Sequence, residues 1–389
     1  MSEYQYFEWQ TVDRLLTQKE QDAVRELSSH IEVSSSGAVV TYAWGSFKHD
    51  PGNVLVQFFD AHLYLANWGS RRLMFRFPSG LLNRDMIEPF CVKDRIRFKT
   101  VGGFDVLDMD LSEEEGGSWI EGEGSLSSLI PLRNDILQGD LRLPYLAWLK
   151  ARSLSGDEPS RGRKSTAPKP LAPSVPPGLK HLSPTLKRFL EQFEVPPCLV
   201  EAAAEFSPEL EETHETDFRP LVAHLSRAEC DGFLCRVMQG DPTAGLELRK
   251  RLLSFVPRQP TKQAVGRSIR ELMNRAEAIE TARERRHKEE ARKKHVAEME
   301  ALANREAETW QQVESLVEMK QTKHYDAAVQ LLAQLKELSE FRDTLDVFRA
   351  RLGTLCARYR ARPGFQWRVQ QAKLLEGCAV QTEEARESS

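Results

Sequence analysis

The first part of the chain switches repeatedly between helix-like and strand-like spacing of its apolar residues. Thr17-x-x-Glu20 has the form of a capping box, and Val24 and Leu27 follow at helical spacing. A helix is therefore expected from about 17 to 30. Ala38–Trp44 is rich in β-branched and aromatic residues and reads as a strand. Asp50-Pro51 is suited to cap and start a helix, and Leu55, Phe58, Phe59, His62, Leu63 and Ala66 then share one helical face. Arg72–Phe77 alternates in part and reads as a strand ended by Pro78. Arg95–Val101 alternates cleanly, and Gly102-Gly103 turns the chain into Phe104–Met109, which predicts a hairpin. Leu126–Leu154 returns to helix, with Leu129, Leu132, Ile136, Tyr145, Trp148 and Leu149 as core candidates. Phe58, Phe59, Trp68 and Phe75 are expected to anchor the core of this α+β part, 1–154.

Residues 155–178 hold six prolines and almost no large apolar side chain. Proline fixes φ and removes a donor, so an extended linker is expected. Residues 179–258 read as a small helical domain: Leu182, Leu186, Phe189, Leu190 and Phe193 mark one helix, cut at Pro196-Pro197, and further helices follow to Phe255. Residues 261–375 change character. From Lys262 to Lys320 there is no proline, and Gly266 is the sole glycine. An unbroken helix there would run about 85 Å. Its apolar stripe (Val265, Ile269, Leu272, Ala276, Ile279) stops at 282–295, which is polar all round and laced with Glu/Lys pairs at i,i+4, then resumes at Val296, Met299, Trp310, Val313 and Val317. Two amphipathic helices, Tyr325–Leu338 and Phe341–Tyr359, are expected to fold back on that second stripe, and 376–389 reads as a disordered tail. The fold class is multi-domain: an α+β N-terminal domain followed by an all-α C-terminal half with a long charged helix.

Net charge of −4 gives no chain-wide sign of nucleic-acid or membrane-surface binding. No apolar run reaches the length of a membrane span, the opening residues lack a signal-peptide pattern, and the six cysteines form no CxxC pair. A cytoplasmic protein without membrane contact is expected.

Motifs with catalytic or cofactor chemistry are weak. Gly162–Thr166 ends like a phosphate loop but has the wrong glycine spacing and lies in the linker. Glu211-x-x-His214 lacks the second copy that a di-iron bundle needs. Asp105, Asp108 and Asp110 lack the downstream spacing of a nuclease site and read as strand-edge charges. His62, on an apolar face, reads as a hydrogen-bonded core or rim histidine. No cofactor and no metal is expected, and no catalytic residue is assigned. Two clusters stand out as partner or nucleic-acid contacts: Trp68 with Arg71 and Arg72, where aromatics interleave with basic groups, and Arg285, Arg286, Lys293 and Lys294 on the charged helix.

Several segments together resemble a family of uncharacterised bacterial proteins: the opening EYQYFEW with Asp13-Arg14, the YxWGxFK stretch Tyr42–Lys48, Phe58–Pro78, Leu141–Ala151, Thr309–Glu314 and Lys323–Val329. The resemblance spans nearly the whole chain. It implies the same architecture, a mixed N-terminal domain, a Pro-rich linker and a charged helical half, and carries no activity or catalytic residues. The leading expectation is a non-enzymatic interaction or scaffold component with a protein partner. The alternative is a nucleic-acid-associated accessory protein.

Overall fold

The computed structural model describes residues 4–113, 126–155, 173–210, 217–241, 243–256 and 267–374. Most of the expected linker, the expected tail, Gly162–Thr166 and Glu211-x-x-His214 lie outside the described residues. The chain divides into two compact units, Met1–Thr281 and Ala282–Ser389.

The first unit is built on one antiparallel sheet of strands β1 (Gln5–Gln10), β2 (Glu32–Val33), β3 (Gly37–Tyr42), β4 (Ala61–Ala66), β5 (Arg71–Pro78), β6 (Ile96–Val101) and β7 (Phe104–Asp110). The order is β2-β3-β1-β4-β5-β7-β6. The expected hairpin is present as β6–β7, and both of its turn glycines take positive φ (58° and 79°), a region that costs a side chain but not glycine. The Thr17 capping box is also present, on a helix shorter than expected, Gln18–Arg25.

The helix expected to run on to Ala66 ends at Phe58. Asp50 caps it by accepting from the Asn53 N–H at 3.0 Å. Phe59 is then extended, the Asp60 N–H bonds to the Gln10 carbonyl, and Ala61–Ala66 pairs with β1 on one side and β5 on the other. His62, Leu63 and Ala66 therefore sit on a strand, where His62 and Leu63 point to opposite faces. β7 lies between β5 and β6, so Asp105 and Asp108 are interior and not edge charges.

Both faces of the sheet are covered. One packs Tyr6, Leu63, Leu65, Leu73, Phe75 and Leu107 against the helices Arg142–Leu154, Pro184–Gln192 and Pro197–Ala204. The last two helices thus share a core with the sheet. The other face packs Phe7, Trp9, Phe47, Leu55, Phe59 and Met74 in a second cluster. Phe59 and Phe75 are wholly buried, but Trp68 is 41% exposed in the β4–β5 turn and does not belong to the core. Phe59→Ala is expected to cost about 3–5 kcal/mol, the usual range for emptying a buried ring site. Chemical unfolding of wild type and variant measures this, and an unchanged midpoint would contradict the packing.

The long charged helix is Ile269–Asn304, 36 residues or about 54 Å, shorter than the uninterrupted pattern suggests. It breaks at Arg305 (φ −116°, ψ 13°), and Glu306–Glu318 follows as a separate helix. In the second unit that helix packs with Thr322–Phe341, Leu345–Arg358 and Pro363–Gln371. Trp310, Val313 and Val317 meet Leu332, Leu335, Phe348, Leu352 and Phe365 there, so the resumed stripe buries as expected.

Candidate interaction surfaces

Arg71 and Arg72 are neighbours in sequence, but strand alternation sends them to opposite faces of β5. Arg72 grips the buried Asp108 carboxylate with two bonds, Nε–Oδ1 2.7 Å and Nη2–Oδ2 2.8 Å. Arg97, directly across from Asp108 on β6, adds a third contact at 3.1 Å. The hydrogen bond to Asp108 raises the Arg72 pKa further. Arg71 is buried and reaches Glu194 at 2.6 Å, in the turn after Pro184–Gln192. Lys150 also reaches that turn, donating to the Glu194 carbonyl at 2.9 Å. Both arginines of the first cluster thus join parts of the fold, whereas Trp68 is exposed at the surface. Of the neighbouring aromatics, Trp44 is exposed and Phe47 buried.

A second buried network centres on Asp60. Its Oδ1 accepts from Arg76 Nη2 at 2.7 Å, and its Oδ2 accepts from the backbone N–H of Val12 (2.7 Å) and Asp13 (3.0 Å). Arg133 completes it with two bonds to Asp13, at 2.9 and 2.7 Å, and one to the Arg76 carbonyl. Burial pushes the Asp60 carboxyl up, but the charge of Arg76 and the two backbone donors outweigh it and hold the pKa below the ordinary value. His62 is fully buried between these networks, stacked on Trp9 at 4.7 Å between ring centroids. Its Nδ1 lies 3.0 Å from the Glu8 carbonyl, which fixes the proton there, and Nε2 has no hydrogen-bond partner. Burial, then the Arg72 charge, lowers its pKa to about 3, so the ring is neutral. Among the described residues no three His, Cys, Asp or Glu side chains are placed to hold a metal ion.

In the second cluster, Arg285, Arg286, Lys293 and Lys294 are exposed on the long helix. Lys288 pairs with Glu284 as the spacing suggests. Glu289 instead takes Arg292 at 2.9 Å, and Lys294 approaches Glu298 and not Glu290.

No family model matches the chain, and neither a curated protein nor a solved structure does. Among the described residues no helix is long and apolar enough to cross a membrane. Two further surface features carry chemistry. A recess of about 370 Å³ lies beside the edge strand β6, lined among others by Arg84, Cys91, Arg97 and Phe98. Burial raises the pKa of the Cys91 thiol, which keeps it protonated and a poor nucleophile. The other feature is the helix Arg227–Met238. A Ser226/Glu229 capping box starts it, and Arg236 clamps it to Glu247 on the helix Ala244–Leu253 at 2.7 Å. Its inner side half-buries Cys230, Phe233 and Arg236. Its outer side exposes Leu234 (61%), Val237 (55%) and Met238 (85%) at i, i+3 and i+4. The sequence shows Phe233–Met238 only as further turns of helix, and the exposure of this face comes from the fold.

Proposed function

We propose that this chain is a non-enzymatic interaction protein, a scaffold or adaptor within a larger assembly, and that it recruits a protein partner through the outer face of Arg227–Met238. The observation that carries the reading is the grouping of Leu234, Val237 and Met238 on one exposed helical face. Grouped apolar side chains with a polar surround mark docking sites, whereas single exposed ones are ordinary. Their i, i+3, i+4 spacing suits an amphipathic helix of the partner laid across them. The non-enzymatic part of the reading is supported by the carboxylates of the sheet. Asp60 and Asp108 are saturated by arginines and backbone donors, which leaves neither free to act as acid or base.

The test is quantitative affinity enrichment with the tagged full-length chain and with a Leu234→Ser/Met238→Ser variant. Loss of apolar anchors at an interface weakens binding by about 1–2 kcal/mol or more each, so a partner held by the wild type is expected to drop at least tenfold. The thermal midpoint should stay unchanged, because both side chains are exposed. Identical partner sets for the two proteins would refute the reading.

A further inference from the structure

The second unit contains a basic run that the whole-chain charge hides. From Arg349 to Leu374 the sequence has six arginines and Lys373, with no Asp or Glu, inside a chain of net charge −4. Folding neutralises part of this run. Arg349 meets Asp346, Arg358 meets Glu314 at 3.1 Å, and Arg368 meets Asp326. Arg351 lies over the Trp310 ring, 4.5 Å from its centroid. Arg360 and Arg362, in the turn between Leu345–Arg358 and Pro363–Gln371, have no ion-pair partner among the described residues.

The same turn leads to an exposed aromatic. Pro363 and Trp367 are i,i+4 neighbours on the helix that follows, both exposed, and Trp367 presents 58% of its surface. Gln366 fixes the helix to the turn by donating to the Cys356 carbonyl at 2.8 Å and the Tyr359 carbonyl at 3.3 Å. The Arg368 guanidinium stands 5.7 Å from the Trp367 centroid. Two guanidinium groups without an ion-pair partner among the described residues therefore precede an exposed indole by seven and five positions, on a turn that Gln366 ties to the indole's helix. Acidic groups that reach this turn and helix are engaged, since Glu318 accepts from the Tyr359 hydroxyl at 3.0 Å, Glu314 holds Arg358 and Asp326 holds Arg368.

We propose that this turn and helix bind single-stranded nucleic acid without sequence preference, with Arg360 and Arg362 on the phosphates and Trp367 stacked on a base. Guanidinium groups match phosphate oxygens two at a time, and every base offers a face to an aromatic ring. An acidic peptide would use the arginines but has no need of the indole, which favours the nucleic acid. The inference does not rest on the Leu234–Met238 surface.

The test is fluorescence anisotropy of a labelled oligothymidylate strand with the full-length chain over a salt series. Wild type is expected to bind at low salt, with affinity falling linearly on a log–log plot. Arg360→Gln/Arg362→Gln should weaken binding and flatten the slope by about 1.4, roughly 0.7 for each phosphate that is no longer neutralised. Trp367→Ala should weaken it by about fivefold or more with the slope kept, and Trp367→Phe should restore most of the affinity. Circular dichroism melts establish that each variant is folded. No binding at low salt overturns the proposal, as does binding indifferent to these three residues. If Arg285→Gln, Arg286→Gln, Lys293→Gln and Lys294→Gln together abolish binding while the Arg360/Arg362 variant does not, the nucleic acid lies on the long helix and the proposal is wrong. If polyglutamate competes as well as unlabelled strand and Trp367→Ala has no effect, the surface takes acidic protein and the proposal also falls.

Discussion

Asp60→Ala is expected to destabilise the first unit by about 3–5 kcal/mol, the cost of leaving a buried ion pair with one partner. The substitution strips Arg76, itself buried, of its carboxylate, and leaves the N–H groups of Val12 and Asp13 without their acceptor. Arg133 loses a neighbouring negative charge 4.0 Å away but keeps Asp13. Asp60→Asn retains an oxygen for one backbone donor while removing the charge, so it should fall between wild type and alanine. Urea unfolding measures all three. A loss below about 1 kcal/mol for alanine would mean that water reaches the site and the pair is not the junction described.

Acid is also expected to weaken the same unit through His62. Its folded pKa is lowered to about 3 from the ordinary 6.5, so below pH 6.5 the unfolded chain binds a proton that the folded chain refuses. Stability contributed by the neutral ring is complete above pH 6.5 and is lost as pH falls toward 3. At about 1.36 kcal/mol per pH unit, moving from pH 7.5 to pH 5 should remove about 2 kcal/mol. Asp60 acts in a lower window. Its pKa is depressed, so its contribution is present above the ordinary carboxylate value and lost as pH falls through the folded one. His62→Phe keeps a flat ring without a titrating group and should remove the slope between pH 7.5 and 5. Equal unfolding midpoints for wild type at the two pH values would sink the idea.

The features that could be read from sequence are those written locally. The Thr17 capping box, the Asp50 cap with Pro51, the glycine turn of β6–β7 and the apolar stripe at Trp310, Val313 and Val317 each depend on residues a few positions apart. β1 and β4 were not legible because both their faces are buried. Gln5–Gln10 places Tyr6 on one face and Phe7 and Trp9 on the other, and in Ala61–Ala66 all residues but Tyr64 are buried, which erases the period-two signal of a half-exposed strand. The arginines misled for a different reason. Arg71 and Arg72 read as contact residues, and their partners stand 123 and 36 residues away, distances that no spacing rule covers. The basic run after Arg349 was legible as composition. Only the fold shows which of its charges remain uncommitted.

The position of β1 has a consequence for how the sheet is assembled. β2–β3, β4–β5 and β6–β7 are each made from neighbours in sequence, whereas β1 pairs with β3 and β4, strands that lie about 30 and 55 residues further along. During synthesis it precedes both of its partners and must wait for them. Without β1 the strand order would fall into two pieces, β2–β3 and β4-β5-β7-β6, with bare hydrogen-bonding edges at β3 and β4. β1 is therefore the strand that closes the seam, and any state in which it is displaced would bare two edges open to pairing with a second copy of the chain.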